Sequence, residues 1–120
     1  MSELAGLNRR LRRTAEAFIE FLRDNGVHVT VTSVVRSQKK QRKLYLEYLD
    51  AKAHGRPHLP ALPPGHSLHE HGLAFDMVVN PPAYQRVAGQ IWKQLGGQWG
   101  GDAAIGYDPV HFQAKQFLHT

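Results

Sequence analysis

Cysteine is absent from this 120-residue chain. That excludes disulfide staples and any reaction needing a thiolate, and it restricts a metal site to histidine and carboxylate ligands. Long apolar runs are absent too, with nothing near the ~20 positions that a membrane helix needs. Behind the basic Arg9, Arg10, Arg12 and Arg13 no apolar stretch follows, so neither a membrane span nor a signal peptide is expected. Negative charge is scarce in the first half, where 12 Lys and Arg face 6 Asp and Glu; residues 61–120 carry 3 against 4. Such a basic half suits a polyanionic partner or simply a solvated face. Basic and aromatic residues are not interleaved as across a nucleic-acid groove, so nucleic acid is not the expected partner.

What is present reads as one compact domain over residues 1–120, long enough for a single hydrophobic core. Leu4, Leu7, Leu11, Ala15, Phe18 and Leu22 recur at helical steps, and Asn25-Gly26 stops that helix. Residues 27–35 are rich in β-branched side chains and predict a strand. Ser37 is placed to cap a second helix, and the Pro- and Gly-rich stretch 54–66 predicts a loop. Residues 73–79 alternate as a strand, with Leu73, Phe75, Met77 and Val79 on a core face and Ala74, Asp76 and Val78 on the other. Asn80-Pro81-Pro82 opens a third helix with Tyr84, Val87, Ala88, Ile91, Trp92 and Leu95 on one stripe, stopped by Gly96-Gly97. Two short strands are expected within 98–117. The order predicts an α+β fold with a small, mostly antiparallel sheet flanked by helices.

The chemistry concentrates around histidine. Of eight, His66, His69 and His71 fall within six positions. Neither helical zinc motif is present: Leu73 stands where HExxH needs its second His, and Ser67 where HxxEH needs its first. Gly72 and the strand after it argue against a helix here, so a metal would draw on a loop, a strand and a distant residue. Asp76, on the open face of that strand, is the natural second ligand, and His111 is the choice for the third. His66 and His71 stand beside His69 as less favoured alternatives. Two histidines, one carboxylate and an exchangeable water make a catalytic rather than a structural zinc arrangement. A base that does not ligate the metal is also needed, and Asp108, shortly before His111, suits it.

The run Ser67-x-His69-x-x-Gly72-x-Ala74-x-Asp76 resembles the SxHxxGxAxD signature of the M15 zinc peptidases, the D-Ala-D-Ala carboxypeptidase and L-alanyl-D-glutamate endopeptidase enzymes. Asp108-Pro109-Val110-His111-Phe112 is similar to their [DE]xxH element, and Arg36-Ser37 with Gln41 and Leu44-Tyr45 to their YRSxxxQxxLY segment. Trp99-Gly100-Gly101-Asp102 resembles the WGGD of the endopeptidase branch, which includes phage endolysins. The resemblance implies a Hedgehog/DD-peptidase-like fold, Zn2+ as cofactor, and His69, Asp76 and His111 as its ligands. It implies Asp108 as general base and then acid, Arg36 as the cation that stabilises the oxyanion, and Ser67 beside the substrate; Trp99, among glycines, is either a substrate wall or a core residue that braces the cleft. Val34-Val35 departs from the family's usual Gly-Tyr before the arginine.

The implied function is zinc-dependent hydrolysis of an amide bond in the peptide stem of bacterial peptidoglycan, with the L-alanyl-D-glutamate bond preferred. A D-Ala-D-Ala carboxypeptidase, or a non-catalytic zinc-containing wall-binding module, are the alternatives. A monomer is expected, made in the cytosol and reaching the wall by phage lysis or virion delivery.

Overall fold

The computed structural model describes residues 3–35, 37–58, 61, 63, 68–102 and 108–115, with backbone only at Leu68 and Glu70. Among the described residues, three helices and four strands follow one another as α1 (Arg9–Asp24), β1 (His28–Ser33), α2 (Gln38–Ala53), β2 (Ala74–Asn80), α3 (Tyr84–Gln94), β3 (Gln98–Trp99) and β4 (His111–Gln113). The strands form one antiparallel sheet in the order β1-β2-β4-β3. The expected α+β class and element order are those observed. No described helix is long and apolar enough to cross a membrane.

The sheet has two chemically different faces because side chains alternate along each strand. Phe75, Met77 and Val79 of β2 are buried, together with Phe112 of β4 and Trp99 of β3. Against them α1 packs Leu11, Ala15, Phe18, Ile19 and Leu22, and α3 packs Ala88 and Trp92. Aromatic rings meet at the centre. Phe75 stacks on Phe112 with centroids 5.5 Å apart, and the Trp92 edge meets Phe75 at 5.3 Å. Phe18 comes down from α1 to within 5.2 Å of Trp92. Rings at such separations add attraction beyond the area they bury.

Three local outcomes differ from the sequence reading. Leu4 and Leu7 are buried as expected, yet α1 begins only at Arg9. Asn8 caps it by accepting from the Arg10 N–H, and its own N–H is donated to the Gly72 carbonyl at 2.9 Å. The leucines therefore reach the core from a turn that Gly6, at φ +97°, allows. In α3 only part of the apolar stripe is covered: Ala88 and Trp92 are buried, whereas Tyr84, Val87 and Leu95 are exposed. One short helix packs against one small sheet, and the outer half of its stripe finds nothing above it among the described residues. The third difference is a 3₁₀ turn at Leu68–His71, where irregular chain was expected. Gly72, at φ +67°, ends it and turns the chain into β2. A side chain there would also meet the Gly6 carbonyl oxygen at 2.7 Å, so both the backbone angle and the close approach require glycine.

Ser37 caps α2 by accepting from the Lys40 N–H at 3.1 Å. That helix buries only Gln41 and Ala51.

Candidate metal centre

The face of the sheet turned away from the aromatic core carries the polar residues. Asp76 in β2 lies directly across from His111 in β4, and across from Ser33 at the end of β1, where the register shifts after Val31. The 3₁₀ turn lowers His69 onto the same spot, and it is 2% exposed. His69 Nε2, Asp76 Oδ1 and His111 Nδ1 then converge, at 3.1 Å from His69 to Asp76, 3.2 Å from His111 to Asp76 and 3.3 Å between the two rings. This is the group of three ligand-type side chains that comes together among the described residues. The expected trio, spread over residues 69 to 111, is thus brought to one point.

The outer edges of both rings decide what the inner edges can do. His69 Nδ1 donates to the Val34 carbonyl at 2.8 Å, which leaves Nε2 with a lone pair when the ring is neutral. His111 Nε2 donates to Gln113 Oε1 at 2.7 Å, which leaves Nδ1 likewise. Two lone pairs and a carboxylate oxygen at such distances repel unless a proton or a cation sits between them. Outer hydrogen bonds of this kind are what orient metal-ligating histidines. The donor set, two imidazoles and one carboxylate, suits a zinc site that keeps a position open.

Electrostatics reflect the same crowding. Burial would raise the Asp76 carboxyl, but hydrogen bonds and charge from His111 and His69 outweigh it and hold it well below the usual carboxylate range. Burial would lower His111, and its bonds to Asp76 and Gln113 and the neighbouring carboxylates raise it instead. Asp108 is half-buried. Burial, joined by the negative charge of Asp76, pushes its carboxyl upward.

Asp108 sits on a turn that is bolted down at each carbonyl. Asp108 O accepts from the His111 N–H, Val110 O from the Met77 N–H, and His111 O from the Gly100 N–H. Pro109 O accepts two side-chain donors at 2.8 Å each, Trp99 Nε1 and Gln85 Nε2. Gln85 also donates to Met77 O and accepts from the Val79 N–H, tying the turn to β2. Of the two places open to Trp99, substrate wall or core, the structure gives the core: it is 2% exposed, with its indole N–H spent on this turn. That assigns it bracing and leaves it almost no surface for a ligand. Asp102 pairs with Lys93 of α3 at 3.0 Å.

Arg36, Ser67 and His66 lie outside the described residues. His71 is exposed on the 3₁₀ turn and does not join the trio. The sequence reading missed Gln85, Gln98, Gln113 and the Val34 carbonyl. For Gln113 a signal existed, since two positions after His111 on a strand is the same face; for Gln85, on a helix, there was none.

The family model of the D-alanyl-D-alanine carboxypeptidase VanY matches residues 5–112. The chain belongs to the VanY family. This is the M15 peptidase family that the motifs resemble. Solved structures show the fold shared across VanY-like proteins at low identity. The vancomycin-resistance D,D-pentapeptidase VanY in complex with Zn(II) superposes with a TM-score of 0.72 at 20% identity, over 90% of this chain and 72% of that one. The LD-carboxypeptidase LdcB gives 0.70 at 22%, over 96% and 70%. The L-Ala D-Glu endopeptidase ChiX of Serratia marcescens gives 0.63 at 24%, over 97% and 86%. No curated protein matches the chain significantly.

Proposed function

We propose that this VanY-family chain is a zinc-dependent peptidase that hydrolyses an amide bond in the peptide stem of peptidoglycan. One observation carries the reading: three ligand atoms converge on the polar face of the sheet with their outer edges already hydrogen-bonded, beside a carboxylate held on a rigid turn. His69 Nε2, His111 Nδ1 and Asp76 Oδ1 hold the metal. Zinc there supplies Lewis acidity to the scissile carbonyl and to a water. Asp108 takes the proton of the attacking water and returns it to the departing amine. Asp108 is half-buried, and burial favours its protonated form, the form that serves the second step. Arg36, by its family resemblance, stabilises the developing oxyanion, and Ser67 contacts the substrate. The fold within residues 1–120 serves as one catalytic domain.

For the scissile bond, the WGGD and DxxHF runs and the 86% coverage of the endopeptidase ChiX support an L-alanyl-D-glutamate endopeptidase. The family match supports the second reading, a D-Ala-D-Ala carboxypeptidase. Digestion of purified peptidoglycan, followed by mass analysis of the fragments, separates them. New N-terminal D-Glu is the expected product; released D-Ala moves the assignment to the carboxypeptidase. Chelator abolishes either product, and undiminished cleavage in its presence removes the zinc reading. Asp108→Asn is expected to keep zinc and lose about 10²–10⁴-fold in turnover; an active variant would take the base role from Asp108.

A further inference from the structure

On β4 the pleat sends Phe112 into the core, so His111 and Gln113 share the polar face. Gln98 of β3 is the cross-strand partner of Gln113. The three side chains form a ladder across that face. His111 Nε2 donates to Gln113 Oε1 at 2.7 Å, and Gln113 Nε2 donates to Gln98 Oε1 at 2.8 Å. An amide has one acceptor end and one donor end. With its NH₂ taken by Gln98, Gln113 can offer His111 only its oxygen, and an oxygen can be met only by an N–H.

We propose that Gln113 is a positioning residue that fixes the tautomer and ring orientation of His111, so that this histidine ligates through Nδ1, and that Gln98 keeps the Gln113 amide from flipping. The inference rests on the zinc reading above and extends it to residues outside the ligand set. Without the ladder, a half-turn of the imidazole about Cβ–Cγ puts Cδ2 where Nδ1 was and Cε1 where Nε2 was, and in either orientation either nitrogen can carry the proton. With it, one of those arrangements is selected whenever the ring is neutral, the form that a metal binds. The carbonyl oxygen also draws on the Nε2 proton and so makes Nδ1 the stronger donor to a cation.

The test compares wild type, Gln113→Leu, Gln113→Glu and Gln98→Leu. Zinc affinity is measured by competition with a chromogenic chelator, and the His111 ring N–H is followed by ¹⁵N NMR in the zinc-loaded proteins. Gln113→Leu is expected to weaken zinc binding by roughly 10–100-fold and to lose the protected Nε2–H signal. Gln113→Glu keeps an acceptor for the His111 Nε2–H and should retain both. Gln98→Leu is expected to fall between the two.

If Gln113→Leu binds zinc as tightly as wild type, or if Gln113→Glu loses as much as Gln113→Leu, the positioning role is overturned. Should Gln113→Leu not fold, a wild-type His111 ring protonated on Nδ1, or a Gln98→Leu variant indistinguishable from wild type, overturns it equally. A wild-type protein that takes up no zinc at all would instead sink the metal site itself.

Discussion

At the scale of single residues, the centre is a contest between protons and a cation for the same lone pairs. In the metal-free protein the His111 pKa is raised, so its stabilising bond with Asp76 is fully present below the unfolded-state value of about 6.5 and is lost as pH rises through the folded value. Asp76 runs the other way. Its lowered pKa gives stability above the unfolded carboxylate value of about 3.9, lost only as pH falls through the folded value. Between those limits the metal-free centre is held by protonated His111 against ionised Asp76. Zinc needs both rings neutral, so acid competes with it. The stabilisation conferred by zinc is therefore expected to grow with pH. Thermal melts of zinc-loaded and chelator-treated protein should differ more near pH 8 than near pH 5.5, and an equal or reversed difference would contradict the arrangement of charges described above.

Among the elements, the turn from Asp108 to His111 does most to convert a sheet into a site, and glycine lets it close. A Cβ on Gly100 would overlap the Asp108 carbonyl oxygen and press on the His111 Cβ at 2.9 Å. Gly100→Ala is expected to cost about 1–3 kcal/mol in denaturant unfolding, as overpacking does. It should also slow turnover by roughly 100-fold, because a displacement near 1 Å is enough to misplace a catalytic group. A variant with wild-type stability and rate would show that the turn is not clamped as described. The same elements show what a sequence discloses. β2 was legible because Phe75, Met77 and Val79 alternate with Ala74, Asp76 and Val78, and a period of two states which face is wet. The trio His69, Asp76 and His111 was legible because ligand chemistry restricts residue type and the motifs set the order. The bracing was legible only in part, since Trp99 among its glycines reads as core or substrate wall but its partner does not. Gln85 and Trp99 act through the Pro109 carbonyl, and no local pattern announces which backbone oxygen a side chain will find across the fold. The start of α1 was misjudged for a related reason: Leu4 and Leu7 continue the helical period, while the bond from Asn8 to Gly72 that ends it is tertiary.

For the whole molecule the uneven charge becomes a statement about approach to a polyanionic surface. Arg9, Arg10 and Arg13 are exposed at the N-terminal end of α1 and Arg12 is half-buried beside them. That end of the helix is tied through Asn8 to Gly72, which follows the turn that carries His69. Four positive charges there attract an anionic envelope over a distance set by screening, about 30 Å at 0.01 M salt and about 10 Å at 0.1 M. Replacing the four arginines by glutamine preserves helix propensity and leaves the centre untouched. Co-sedimentation with purified cell walls is expected to show steep salt dependence for the wild type and a weaker, flatter curve for the variant. Hydrolysis of a short soluble stem peptide should be the same in both. If the two proteins sediment alike at low salt, the basic helix serves solubility alone, and recognition of the wall must come from the polar face of the sheet.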